Sequence, residues 1–370
     1  MAERARDMIQ EQPMGSAHRP GNQGQPLFSR PLPDGPLTRC ASLGFRAAVA
    51  LRNNMYTRLS PLSWKAPCPV ISVGAISAGG TGKTPVSLLV GTYLQSKGWN
   101  VAFLSRGYRR IDRRPRIVAP REKIDWELIG DEPWLLHDRL PDAWLCIDSR
   151  RRRSARMLAS RMPGRPVFVL DDGFQHRALR RDLDLVCLHH AVLHDHMIPR
   201  GYLREPVVSL GRAGAALLIG GLEERTALED TRNVLAGLFP HLPVFILFQQ
   251  KGDWINAGTG EKRKKPPSDD PLLVCGIARP ERFLAMVRAD GIQPSGQYLF
   301  SDHHRYLRND FNKTRELYSK VIISTEKDAV RLCHAGIVPA EQLWYLTLEV
   351  RFFDETRGNQ FFTLIDKHIY

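Results

Sequence analysis

Short runs of β-branched and apolar residues recur through the middle of the chain, each followed by a polar turn and a helix-compatible stretch. Residues 70–73, 101–104, 143–147, 167–170, 183–188 and 215–219 are such runs. Near-continuous hydrophobicity over so few residues is the pattern of parallel strands buried on both faces. Helical stretches intervene at 86–95, at 134–139 and from residue 150 onward. Alternation of this kind across 68–220 predicts an α/β fold, a mostly parallel sheet with helices on both faces.

Beyond 244–247 the texture changes. Residues 251–270 are charged, contain Gly and Pro and follow no period, which reads as a long loop or linker. Runs at 272–275, 321–324 and 343–348 predict further strands. Helices are expected over 280–289, where Pro280 takes the favoured first position, and over 309–320. The division expected is a core over 61–240, a second, smaller α/β domain over 241–350, and a segment 351–370 returning to the core.

Residues 1–36, rich in Pro, Gly, Gln and Arg, read as a disordered extension. Residues 37–60 read as a helix with Thr38 at its N-cap. Leu43, Val49, Leu51, Met55 and Leu59 alternate there with Arg39, Arg46, Arg52 and Arg58. Such a helix either lies in a membrane interface, arginines on head groups, or packs on the domain with its arginines in water.

Composition narrows the class. The chain has 370 residues, 43% hydrophobic and 25% charged, enough for two domains and a large core. A net charge of +14 points to an anionic partner: nucleic acid, a phosphorylated small molecule or an anionic membrane. No helix-turn-helix, zinc-finger or RNA-recognition signature accompanies that charge, which excludes nucleic acid. The six cysteines are scattered without C-x-x-C spacing, as in a reduced protein without a disulfide framework or zinc site. No apolar run approaches the roughly 18 residues of a membrane-spanning helix, and the first residues lack the signal-peptide pattern, so the chain is expected to be soluble or peripheral.

The chemistry starts at VISVGAISAGGTGKTP, residues 70–85. Strand, glycine-rich turn, Lys-Thr and helix is the layout of a phosphate-binding P-loop. Backbone N–H groups of Gly79, Gly80, Thr81 and Gly82 would turn onto phosphate oxygens, with the Lys83 ammonium on the β/γ-phosphates and the Thr84 hydroxyl on Mg²⁺. Ser77 stands where the common pattern has its first glycine, so this is closer to the variant loops with a GGxGKT core.

Other candidates sit at strand ends, where open α/β sheets bind ligands. Arg106 closes the second strand in SRGY. Asp131 and Glu132 follow in GDEP, directly before a helix. Asp171 and Asp172 end an apolar strand, the arrangement in which a carboxylate holds Mg²⁺ directly or through water. The loop IPRGYLREP presents Arg200 and Arg204. Four histidines in 189–196, with no Cys or carboxylate pattern around them, read as a polar loop rather than a metal site. In the second domain, Ser301–Tyr306 (SDHHRY) and 324–329 (STEKDA) hold adjacent acids and bases suited to proton transfer or to orienting a catalytic group.

Taken in order, GAISAGGTGKTP, SRGYRR, GDEP, DDGFQH, IPRGYLREP, GIARPERF, SDHHRY and STEKDAVRL, spread over roughly residues 36–350, resemble the tetraacyldisaccharide 4′-kinase family of lipid A biosynthesis. The resemblance implies a P-loop NTPase-like, mostly parallel sheet core joined by a two-stranded linker to a second, smaller α/β domain, with ATP and Mg²⁺ between them. It implies phosphoryl transfer to the 4′-hydroxyl of a tetraacyl glucosamine disaccharide 1-phosphate, the lipid A disaccharide precursor, at the cytoplasmic face of a bacterial inner membrane. It also makes the helix over 37–60 a membrane-interface helix. Carried over by position, Asp131 is the base that takes the hydroxyl proton. His303 is its partner, with His304 as the fallback, and Asp172 stands beside them. Thr84, Glu132 and Asp171 are the Mg²⁺ candidates. Arg106, Arg151, Gln175, His176 and Arg204 are the candidate contacts to anions and substrate. Ala75 departs from the asparagine usual in the family, and residues 1–35 have no counterpart. The competing reading is a P-loop ATPase of the membrane-partitioning type with no lipid acceptor.

Overall fold

The apolar runs pair with one another in parallel. The computed structural model describes residues 31–59, 62–108, 110–277, 280–302, 304–311 and 315–370. Helix α1 (Pro36–Arg58) precedes the sheet, and then come β1 (Val70–Ala75), α2 (Lys83–Ser96), β2 (Asn100–Ser105) and the edge strand β3 (Arg116–Val118). α3 (Trp126–Ile129) and α4 (Asp131–Arg139) lead to β4 (Trp144–Ile147), α5 (Arg151–Ala159) and β5 (Pro166–Asp171). β6 (Leu183–Leu188), β7 (Ala215–Gly220) and α6 (Arg225–Leu238) complete a large lobe. The long β8 (Val244–Asn256) and short β9 (Lys262–Arg263) carry the chain to a smaller lobe of β10 (Leu272–Cys275), α7 (Pro280–Ala289), β11 (Gly296–Leu299), β12 (Ile322–Thr325) and α8 (Glu326–His334). Finally, β13 (Leu343–Phe352) and α9 (Glu355–Ile369) bring it back.

All strands belong to one 13-stranded sheet ordered β11-β10-β12-β13-β8-β7-β6-β1-β5-β2-β4-β3, with β9 on β8. β1 lies between β5 and β6, parallel to both, and every residue of it is buried. Successive side chains alternate between two cores, as the pleat requires. Leu183, Leu185 and Cys187 join the α2 and α9 side with Val90, Leu94, Phe361 and Ile365. Val186 and Leu188 join the opposite side, with Leu228 and Leu235 of α6 and Val49 of α1.

The lobes share a two-stranded ribbon. The first half of β8 is parallel to β7, from Ala216 opposite Val244 to Gly220 opposite Phe248. From Leu247 to Asn256 it pairs antiparallel with β13, whose first residues are in turn parallel to β12. The linker expected over 251–270 therefore begins as strand: residues 251–256 extend β8, and 262–263 form β9. Polar residues such as Lys251 and Asp253 hid this, because a ribbon strand needs ladder partners more than apolar faces. β3 lies inside a basic stretch, residues 109–121, and pairs antiparallel with β4. The helix expected over 309–320 is two 3₁₀ turns, Arg308–Phe311 and Arg315–Tyr318, among the described residues.

α1 begins at Pro36 with Gly35, not Thr38, at its N-cap. Thr38 instead donates its hydroxyl to Pro33 O at 2.9 Å. Of its side chains only Ser42 and Val49 are buried, while Leu37, Leu43, Leu51 and Leu59 are at least half exposed. Among the described residues no helix is long and apolar enough to cross a membrane. All six cysteines are free. Residues 1–30 of the expected extension lie outside the described residues.

Candidate active site

β1 delivers the chain into the phosphate loop, and α2 starts at Lys83. Gly82 is the N-cap with φ +76°, and a Cβ there would come within 2.9 Å of Ile219 Cδ1. Only glycine fits that turn without strain. Thr81 and Thr84 are buried, and Lys83 Nζ lies 3.5 Å from Gly79 O and 3.7 Å from Asp172 Oδ1. The helix N-terminus and the lysine thus face a common space, as anion binding requires.

Asp171 and Asp172 close β5 on the strand beside β1. Asp171 is 3% exposed and accepts a hydrogen bond from Ser105 Oγ at 3.2 Å. Burial, then the neighbouring charges of Glu132 and Asp172, push its carboxyl above the ordinary range. Asp172 has φ +50°, a left-handed conformation uncommon for a non-glycine residue and often found at functional sites. Arg204 grips it bidentately, Nη1 to Oδ2 and Nη2 to Oδ1, both at 2.7 Å. Burial alone would raise the Asp172 carboxyl, but Lys83 and Arg204 outweigh it and hold it well below the usual range.

Asp131 and Glu132 open α4. Gly130 before them has φ +94°, with Tyr108 O 3.0 Å from where a Cβ would sit, so the SRGY and GDEP turns pack backbone to backbone. Asp131 is 6% exposed, and its Oδ1 accepts from Glu132 N at 2.9 Å. Glu132 Oε1 accepts from Lys327 Nζ of α8 at 2.7 Å, and Lys327 followed by Lys83 lowers its pKa against the opposing effect of burial.

The remaining candidates separate. Arg106 is exposed at the end of β2, and its charge acts on Arg151 and His176. Gln175 donates to Ala75 O at 3.0 Å and leaves a buried Oε1 without a partner. His176 is driven down to about 3, by burial first and then by Arg151, and so is neutral at ordinary pH. Arg151 is only 2% exposed and donates to Asp148 O at 3.0 Å and Asp171 O at 3.4 Å. It braces the strand ends from behind rather than facing the open side. His304 is likewise occupied within the small lobe: its Nε2 lies 2.9 Å from Asp310 Oδ2, and its ring stacks on Phe300. His303 lies outside the described residues. In the histidine-rich loop, His189 and His190 gather on Glu224, which also receives Arg282 of α7.

Two features escape sequence reasoning. Glu205, next to Arg204, is fully buried and accepts from Arg52 Nη2 (3.1 Å) and Asn53 Nδ2 (2.7 Å) of α1 and from Arg212 Nη2 (3.0 Å). Arg212 in turn lies 3.5 Å over the Phe174 ring, two residues past Asp172. The other is the Lys327–Glu132 pair; the STEKDA run is conspicuous in sequence, but its partner is 195 residues away. By contrast, the 320 Å³ concavity between Pro243, Phe245, Gln360 and Leu364 lies at the amino end of β8, away from these groups.

This geometry of loop, acids and arginines can be set beside known proteins. A family model described as LpxK, tetraacyldisaccharide-1-P 4′-kinase, matches residues 36–369. The chain belongs to the tetraacyldisaccharide 4′-kinase family. A tetraacyldisaccharide 4′-kinase of Pelodictyon phaeoclathratiforme is 32% identical over 334 residues, 86% of this chain and 94% of the relative. One from Anaeromyxobacter dehalogenans is 37% identical over 308 residues, 79% of this chain and 80% of the relative. A crystal structure of LpxK from Aquifex aeolicus in complex with ATP superposes with a TM-score of 0.74 at 29% identity, covering 90% of this chain and 99% of that one. The 4′-kinase family thus accounts for the P-loop core and for the smaller lobe together.

Proposed function

We propose that this chain transfers the γ-phosphoryl group of ATP to the 4′-hydroxyl of a tetraacyl glucosamine disaccharide 1-phosphate, giving lipid IVA. Family membership over residues 36–369 carries the reading. The chemistry agrees with it, since the P-loop lysine, two carboxylate pairs and Arg204 gather beyond the carboxyl ends of the central strands. In this reading the backbone of 79–83 and Lys83 hold the phosphates, and Arg106, Gln175 and His176 meet the substrate. Asp131, at the start of α4, takes the acceptor proton and orients the hydroxyl. His304 is committed to Asp310, so the partner role falls to His303.

Thr84, Asp171 and Glu132 would hold Mg²⁺. They form an all-oxygen donor set, and the raised carboxyl of Asp171 beside two like charges is what a hard cation relieves. When bound, the ion neutralises charge on the β- and γ-phosphate oxygens. Both Asp172 oxygens are taken by Arg204, which makes that pair a support for the lysine and loop.

α1 supports a docking role at the cytoplasmic face of the inner membrane. It leaves Leu37, Leu43, Leu51, Met55 and Leu59 in solvent beside exposed Arg46 and Arg58, an interfacial rather than spanning design. A membrane-partitioning ATPase is not favoured, because it needs no acceptor lobe and its family is not the one matched.

The test uses purified full-length protein in detergent micelles with ATP, Mg²⁺ and the tetraacyl disaccharide 1-phosphate. A lipid product heavier by one phosphate, seen by mass spectrometry, is expected. ATP hydrolysis without that product would overturn the proposal.

A further inference from the structure

Two of three consecutive side chains at the start of α8 reach α4, and the third reaches the end of β10 and Tyr306. Glu326 Oε1 accepts from Arg139 Nη1 at 2.9 Å, and Lys327 Nζ donates to Glu132 Oε1 at 2.7 Å. Asp328 accepts from Gly276 N at the end of β10 and from Tyr306 OH beyond the histidine pair. Arg139 and Glu132 stand at opposite ends of α4. The first turn of α8 therefore grips α4 along its length and fastens the 301–306 loop with its third side chain. The Lys327 side chain is 30% exposed and that of Glu132 32%, so the pair is partly open to solvent and is not locked in a core.

Glu132 is paired with Lys327 of the small lobe at 2.7 Å and also feels the charge of Lys83 in the P-loop, whose Nζ lies 3.7 Å from Asp172 Oδ1. Lys83 is the phosphate lysine of the kinase reading, on which this inference rests. If Lys327 were absent, Lys83 would be the protein cation left for Glu132 before a metal binds, and a pair between them would withdraw Lys83 from the phosphates. It would also pull on the first turn of α4, where Asp131 Oδ1 is bonded to Glu132 N.

We propose that Lys327 is a positioning residue of the phosphoryl-transfer site. Lent by the smaller lobe, it holds Glu132 away from Lys83, so the acidic edge and the phosphate loop are both in order only while α8 is docked on α4. STEKDA is then the connection between the lobes' chemistry rather than a second set of acids and bases.

The test is a set of full-length variants, Lys327→Met, Lys327→Arg, Glu132→Gln and Glu132→Gln/Lys327→Met, each read for kcat and for ATP affinity by calorimetry. Lys327→Met should lose kcat on the order of 10–100-fold, the usual effect of removing a group that orients an active-site ligand. It should also weaken ATP binding several-fold. Lys327→Arg should recover most of both. In the double variant ATP affinity should return to that of Glu132→Gln, because a neutral glutamine does not compete for Lys83; a merely structural lysine would give no such relief. Wild-type turnover in Lys327→Met, or equal ATP weakening whether or not Glu132 is charged, would overturn the proposal. Should Lys327→Met fail to fold, Lys327→Arg with ATP affinity more than tenfold weaker than wild type would overturn it too. The affinity arm does not need the lipid, so failure of the acceptor assignment would show only in the turnover arm.

Discussion

At the carboxyl end of β5 the chain leaves Asp171 with one long hydrogen bond, Asp172 in a left-handed conformation, and Gln175 Oε1 buried without a partner. At the carboxyl end of β12, Asp328 is fully buried and completely served, by Gly276 N, Tyr306 OH, Thr325 Oγ1 and Arg331. Both are acidic residues at the ends of parallel strands in one sheet. The first place keeps Asp171 buried beside the like charges of Glu132 and Asp172, a state that becomes favourable when a cation and phosphates arrive. The second holds its carboxylate with three hydrogen bonds and an ion pair to Arg331, all within the small lobe, and is built to keep its shape. Unsatisfied charge is costly in the ligand-free protein, so its persistence at one edge marks where ligand belongs.

The sharpest way to test that contrast is to neutralise one acid at each edge. Asp131→Asn should lower kcat by about 10²–10⁴-fold, the range expected for removing a general base, with ATP affinity retained. Steady-state rates and an ATP titration decide it, and unchanged kcat would strip Asp131 of that role. Asp328→Ala should act on stability instead, costing about 3–5 kcal/mol in urea unfolding by leaving Arg331 buried and unpaired. A cost under about 1 kcal/mol would show that its partners re-pair, and the second edge would not be the rigid one.

A smaller effect separates the lobes by pH. Burial raises Glu326 to about 7, with Arg139 offsetting only part of it and Asp138 adding to it. A carboxyl raised on folding stabilises most below its unfolded pKa, and that contribution is lost as pH climbs through about 7. The stability of the native protein relative to Glu326→Gln should therefore fall between pH 5 and pH 8, by up to about 3 kcal/mol. A constant difference across that window would mean that the Arg139 pair cancels the burial. The smallest change in stability belongs to α1. Leu43→Ser with Leu51→Ser should alter it by less than about 0.5 kcal/mol, as for exposed positions generally. Flotation with vesicles containing anionic phospholipid should nevertheless drop several-fold; equal flotation would free α1 from the docking role.

Much of the large lobe was legible because its strands are buried on both faces, and burial writes itself as apolar runs. The phosphate loop and the Asp171–Asp172 pair could be found for the same reason, each fixed to the end of such a run. β8 beyond Leu247 was not legible, since a ribbon held by main-chain pairing tolerates Gln249, Lys251 and Asp253. Arg151 was expected as a contact to anions or substrate, yet of the four arginines 150–153 it alone is buried, turned inward by carbonyls from two strand ends. Lys327 and Glu205 were hidden more deeply, because their meaning depends on partners far away in sequence, and no periodicity records that.

Glu205 also bears on how the protein can be handled. Its carboxylate has no access to water, and two of its donors, Arg52 and Asn53, sit on α1. Cutting the chain after residue 60 to obtain an enzyme that needs no detergent would remove both and leave an ion in the interior. That ion neighbours Arg204, the residue that grips Asp172. Solubility would have to be engineered on the outward face of the helix, with its inward polar pair left in place.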